Sequence, residues 1–213
     1  LATSNRDKVR QALDDGDIES AKQYLDIMEE ESKHAHDVMC DYVVSLVTYI
    51  GRNYGEEEAM KAFYFRHDIK DQVSEKMLGL SPEDAVRFKT MIHRGHHSTM
   101  ELSEEEDRFV LTLDPCNSGG TIRRTYMGDS AQDLEKTKKG MPESCGRTGI
   151  SYYCAHCGIH SRNSVLKGAP HPTWIYTCPT DPNAPCVQYC YKNTEDVPKK
   201  YFDELNLSKP DEN

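Results

Sequence analysis

The chain has 213 residues, 37% of them hydrophobic, and a formal net charge of −10, which allows one large domain or two modest ones around a real core. Residues 1–100 hold 13 basic against 19 acidic side chains and residues 101–213 hold 13 against 17, so neither half offers the basic field that binds phosphates, and nucleic acid is not an expected partner. No window approaches about 18 consecutive apolar residues, and the N-terminus carries neither a secretory nor a transit pattern, so no membrane partner and a cytoplasmic location are expected.

The first hundred residues have the spacing of helices. DIESAKQYLDIMEEESKHAHDVMCDYVVSLVTYIGRNYG contains no proline and places Met39, Val43, Leu46, Val47 and Ile50 on one side. Gly51 and Gly55 are candidate stops. EEEAMKAFYFRHDIKDQVSEKML continues as helix, and SPEDAVRFKTMIHRG is delimited by Ser81 as cap, Pro82 at the first helical position, Glu83 and Asp84 in the first turn, and Gly95 as terminator. Three to five packed helices are expected over residues 1–100.

Beyond residue 100 the pattern changes to short apolar or alternating runs. LSEEED is a solvated approach, and DRFVLTL, TIRRTY, GISYYC, TWIYTC and CVQYCYK are expected strands. The connections DPCNSGG, GAPHPT and CPTDPNAPC are rich in turn formers, and EDVPKKYFDELNL closes the chain with a short helix. The expected fold is α+β: an N-terminal helical bundle over 1–100, then a small antiparallel β-rich domain over 101–213 carrying a Cys/His metal site.

Eight cysteines stand at 40, 116, 145, 154, 157, 178, 186 and 190, seven of them beyond residue 115. Close thiols in a chain without a secretory pattern point to metal or redox chemistry more than to a disulfide scaffold. Cys154 and Cys157 form a C-x-x-C, whose spacing lets two thiolates reach one ion at about 2.3 Å, and His160 follows three residues on. With Cys186 and Cys190 the spacing C-x2-C-x28-C-x3-C resembles a zinc ribbon, although the second knuckle is one residue longer and lacks a following glycine. Cys116 lies in DPCNSGG, where Gly119 and Gly120 permit a tight backbone with exposed amides, and Cys186 also follows a proline. The expected metal ligands are drawn from Cys116, Cys154, Cys157, His160 and Cys186, whereas Cys40, Cys145, Cys178 and Cys190 are expected to pack as small hydrophobes.

CAHCGIH also resembles the C-x-H-C motif of the AhpD-like peroxidase and carboxymuconolactone decarboxylase families, over seven residues. The later histidine comes one position early, and GISYY before the motif is strand-like where those families open a helix. The resemblance implies dithiol redox chemistry at Cys154 and Cys157. Haem attachment would need histidine at position 158, which is glycine here.

Histidines occur in two clusters. His36 falls on the stripe with Met39, Val43, Val47 and Ile50, from which a neutral imidazole can act as a general base or ligand, while His34, Asp37 and Asp41 form another face. HRGHH brings His93, His96 and His97 around the Gly95 stop, where the helix dipole also favours them. Of the adjacent Arg123 and Arg124, only one of two strand neighbours can face a site, and Arg124 is the expected clamp for an anionic group.

The expected activity is that of a metal-dependent hydrolase or lyase, with zinc first and iron second. It acts on a small organic substrate that can be anionic, with His36, Cys116 and Arg124 as catalytic residues. The alternatives are a non-enzymatic binding or regulatory protein with a closed zinc staple of Cys154, Cys157, Cys186 and Cys190, and a C-x-x-C thiol oxidoreductase. The expected partner is a small-molecule substrate, and a homo-oligomer is allowed.

Overall fold

The structure, a computed structural model, describes residues 3–70, 72–126 and 134–210, with side chains left undescribed over 66–74. Two compact units divide the chain, Leu1–Asp41 and Tyr42–Asn213. The change of sequence pattern near residue 100 falls inside the second unit.

The first unit contains α1 (Asn5–Asp14) and the first part of α2 (Ile18–Tyr54). Ser4 caps α1 by accepting from the Asp7 amide, and Gly16 turns the chain at φ 76°. Val9, Ala12 and Ala21 are buried here, and Asn5 Nδ2 donates to Glu31 Oε1 at 2.9 Å.

Gly51 does not stop α2, which runs to Tyr54 and ends at Gly55 with φ 98°. The buried stripe of α2 also differs from the expected one. His36, Cys40, Val44 and Val47 are buried, while Met39, Val43 and Leu46 are exposed. Both stripes fit a 3.6-residue period, and the polar faces of His36 and Thr48 conceal the buried one.

The second unit continues with α3 (Glu56–Lys70), α4 (Gln72–Met77) and α5 (Pro82–Gly95). Asp71, inside the expected second helix, lies outside the described residues. Ser81 caps α5 through the Asp84 amide at 3.2 Å, as its sequence implies. α5 ends at Gly95 as expected, with His96 as its cap and His97 turning the chain at φ 53°.

An antiparallel sheet follows, in the order β1-β2-β4-β3, from Met100–Glu104, Arg108–Leu113, Cys186–Tyr191 and Ile175–Tyr176. Register pairs Phe109 with Cys190, Leu111 with Gln188 and Leu113 with Cys186, so these six share one buried face. That face packs with Val86 of α5 and with Trp174 and Tyr176 in the main core.

Two expected strands are helices. TIRRTY belongs to α6 (Gly119–Tyr126), and GISYYC enters α7 (Tyr152–Leu166) directly after Ser151. Aromatic and β-branched content suggested strand in both, but Tyr152, Ala155 and Ile159 repeat at helical spacing and pack on Val47, Ala59, Met60 and Phe63. The close is α8 (Lys199–Glu204), whose Phe202 is fully buried with Val197 and Tyr191. No helix among the described residues is long and apolar enough to cross a membrane.

Candidate functional site

α7 carries the C-x-x-C in its first two turns. Cys154, Cys157 and His160, three residues apart in succession, stay on the side opposite Tyr152, Ala155 and Ile159, so packing one face of the helix aims the other into a cavity of about 510 Å³. Gly158 takes no part in the lining because the carbonyl of Glu143 sits against it.

Cys116 reaches the same cavity from the loop before α6. That loop is tied down by Asn117, whose amide donates to Ser98 Oγ at 3.0 Å and whose Nδ2 donates to the His97 carbonyl at 3.1 Å. Cys186 enters from the start of β4, and Cys178 from the turn after β3. The five residues expected as ligands, Cys116, Cys154, Cys157, His160 and Cys186, therefore line one cavity, with Cys178 as an addition that composition gave no reason to select. Among the described residues no three His, Cys, Asp or Glu side chains are grouped closely enough to hold an ion as they stand.

Cys190 belongs elsewhere. It lies four residues beyond Cys186 on the same face of β4, roughly 13 Å along a strand, and its Sγ faces the Pro82 carbonyl at 3.9 Å. A C-x3-C on a strand does not close the way a knuckle does.

Gly119 sets how closely α6 approaches α7, since a Cβ there would lie 2.7 Å from Cys154 Sγ. One turn later Arg123, only 2% exposed, donates from Nη1 to Cys154 Sγ at 3.8 Å and from Nη2 to the Ala184 carbonyl at 3.1 Å. Arg124 faces the other way and pairs with Asp114 at 2.8 Å. The arginine at the cavity is thus Arg123, because α6 is a helix and the alternation of a strand does not apply.

Lys89 of α5 is 6% exposed and donates to Tyr176 Oη at 2.7 Å, with its ammonium over the rings of Tyr176 and Trp174. Burial pulls Lys89 below the ordinary lysine range, opposed by the nearby Cys157, Cys186 and Cys116, and Cys116 and Cys186 also lie within electrostatic reach of Arg123. Neither cation has a carboxylate partner among the described residues, and no Asp or Glu lines the cavity there. Removing such an ammonium together with its hydroxyl partner should stabilise the fold: Lys89→Met with Tyr176→Phe is expected to gain about 1–4 kcal/mol in urea unfolding. A loss of stability would mean that the pair is structural.

Burial dominates the thiols. It pushes Cys154 up to about 12 against the opposing Arg123 charge, and raises Cys157 and Cys186 well above the ordinary range. Cys178 is raised first by its hydrogen bond with Cys145, at 3.8 Å between sulfurs, and then by burial. These are protonated thiols, ready to exchange a proton for a metal but poor nucleophiles by themselves.

Comparison with protein-family models, with curated proteins and with solved structures found no match.

Four imidazoles line it as well: His93 and His96 from α5, His156 and His160 from α7. His93 Nε2 faces Gln188 Oε1 at 3.2 Å, which fixes the proton on Nε2 and leaves Nδ1 as a buried lone pair without a partner among the described residues. Burial and then the Lys89 charge pull His93 down to about 3. The imidazole is neutral when folded but takes a proton near pH 6.5 when unfolded, so His93 lowers stability progressively as pH falls from 6.5 towards 3. The expected slope is about 1.4 kcal/mol per pH unit, absent in His93→Gln, as measured by urea unfolding across that range.

His36 lies in the first unit, with Nδ1 3.0 Å from Asp37 Oδ1 and Nε2 3.5 Å from Cys40 Sγ. Of the two candidate histidine groups, only the one around Gly95 contributes to the cavity lining of the second unit. The other wall is apolar, formed by Val43, Leu46, Val47 and Ile50 of α2 and Phe63 of α3.

Proposed function

We propose that the cavity is the active site of a metal-dependent enzyme, with zinc first and iron second, acting on a small organic substrate by hydrolysis or elimination. The observation that carries this reading is the convergence of Cys116, Cys154, Cys157, Cys178, Cys186 and His160 on one cavity with the buried Lys89 and Arg123 and no carboxylate. Such thiols lose their protons to a metal, and the resulting negative charge is what Lys89 and Arg123 lack. Binding requires side-chain rotation that draws three or four of these groups together.

A bound ion supplies Lewis acidity towards a substrate oxygen or a bound water. The residues do the rest. His93 offers the Nδ1 lone pair as a hydrogen-bond acceptor that orients a substrate hydroxyl or water, held in that tautomer by Gln188. The α2 wall and Phe63 offer an apolar surface to the substrate body. Arg123 takes the orienting role expected of Arg124.

Two rival readings draw less support. A closed staple needs Cys190 in place of Cys116, and Cys190 faces Pro82. A dithiol oxidoreductase does benefit from the helical setting of Cys154, which brings the motif closer to the families it resembles. Its nucleophile, however, would have to ionise from a pKa of about 12. The test is cobalt substitution: intense visible bands from tetrahedral thiolate coordination that shift on adding azide are expected, because azide requires an open position. Bands insensitive to azide would mark a closed site, and an inability to bind cobalt would defeat the metal reading.

A further inference from the structure

Two cations are buried at the thiol cavity with no acidic side chain to answer them. Lys89 spends one ammonium proton on Tyr176 Oη. Arg123 spends Nη1 and Nη2 on Cys154 and Ala184, and its Nε is buried without an acceptor among the described residues. Donors of this kind cost several kcal/mol when left dry and unanswered, so the site is built for something the protein itself does not supply.

The charge of that partner follows from a count. Three thiolates on a divalent ion leave one net negative charge, while Lys89 and Arg123 bring two positive charges. One further negative charge balances the cavity. A phosphate dianion would overfill it, although Arg123 Nε, the second N–H of each Nη and the two remaining Lys89 protons leave donors to spare. A carboxylate has two oxygens for these donors and a single charge. The rest of the cavity is hydrocarbon, with Val43, Leu46, Val47, Ile50 and Phe63 facing the thiol side, so the remainder of the molecule is apolar.

We infer that the substrate is a small apolar carboxylic acid bound as its anion, with the carboxylate between Lys89 and Arg123 and the hydrocarbon body against α2. The count of charges rests on the open metal site proposed above, whereas the sign of the ligand rests on Arg123, which stays charged, with Lys89 as a donor whose ammonium form burial disfavours and a bound anion favours.

The test is calorimetric titration of the metal-loaded protein with hexanoate and with hexanamide, its neutral counterpart of nearly the same shape. Hexanoate should bind at least tenfold more tightly, and Lys89→Gln should reduce that preference to under threefold while leaving near-UV dichroism unchanged. Lys89→Arg should retain the preference. Equal affinities, or no binding of either probe to protein carrying a full complement of metal, would overturn the inference. The wild-type comparison decides the matter even if Lys89→Gln fails to fold. A preference for hexanoate in protein that holds no metal would uphold the carboxylate site and refute the metal reading, so the two can fail separately.

Discussion

Gly158→Ala is expected to destabilise the protein by about 3 kcal/mol or more. A Cβ at Gly158 would lie 2.1 Å from the Glu143 carbonyl oxygen and 2.7 Å from its carbon. Those atoms are backbone, so no rotamer change relieves the clash, and α7 would have to lift away from the turn at Pro142–Ser144. That turn is held from several sides: Ser144 Oγ donates to the Arg147 carbonyl at 2.6 Å, and Tyr64 Oη donates to Glu143 at 2.7 Å while accepting from Arg162. The midpoint of thermal unfolding should fall by about 6–12 °C for a domain of this size. Gly95→Ala is the control, since nothing lies within 4 Å of a Cβ there and the residue is helical. It should be neutral or gain up to about 1 kcal/mol.

Gly119→Ala should act on the site as well as on the fold. Its Cβ would come 2.7 Å from Cys154 Sγ, and the side chain that has to yield is a proposed ligand. Rotating Cys154 away also breaks its contact with Arg123. A loss of about 10- to 100-fold in metal affinity is expected, the usual scale for a disturbed outer shell, along with about 1–3 kcal/mol lost in urea unfolding of the metal-free protein. Competition with a chromophoric chelator measures the first, and unchanged affinity would place Cys154 outside the coordination sphere.

The parts of this fold written in local chemistry were legible in the sequence. Ser81-Pro82 opens α5, the alternation of Phe109, Leu111 and Leu113 marks β2, and the turn-rich segments fall between elements. The segments that failed were those where residue type and period disagree. GISYYC and TIRRTY are rich in β-formers, yet Tyr152, Ala155 and Ile159 keep a helical period, and that period decides because it lets one face pack on Val47 and Phe63. The same error hid the choice between Arg123 and Arg124.

The expected ligands Cys116, Cys154, Cys157, His160 and Cys186 do line one cavity, but 154, 157 and 160 share a side only because the segment is a helix, since a strand would have turned Cys157 to the other face. Lys89 was not. A lysine in the middle of an amphipathic helix looks like a surface residue, and only the packing of Trp174 and Tyr176 over it reveals its burial. His36 was placed on a stripe that shares its period with the real one, so no count along α2 separated the two.

The thiols of this cavity, and not those elsewhere, should hold the metal. The direct measurement is metal content per chain, by elemental analysis, for the wild type, Cys154→Ser and Cys190→Ser purified side by side. About one zinc or iron per chain in the wild type and in Cys190→Ser, with loss in Cys154→Ser, is the predicted result. Metal lost from Cys190→Ser but kept by Cys154→Ser, or no metal in any of the three, would contradict the account.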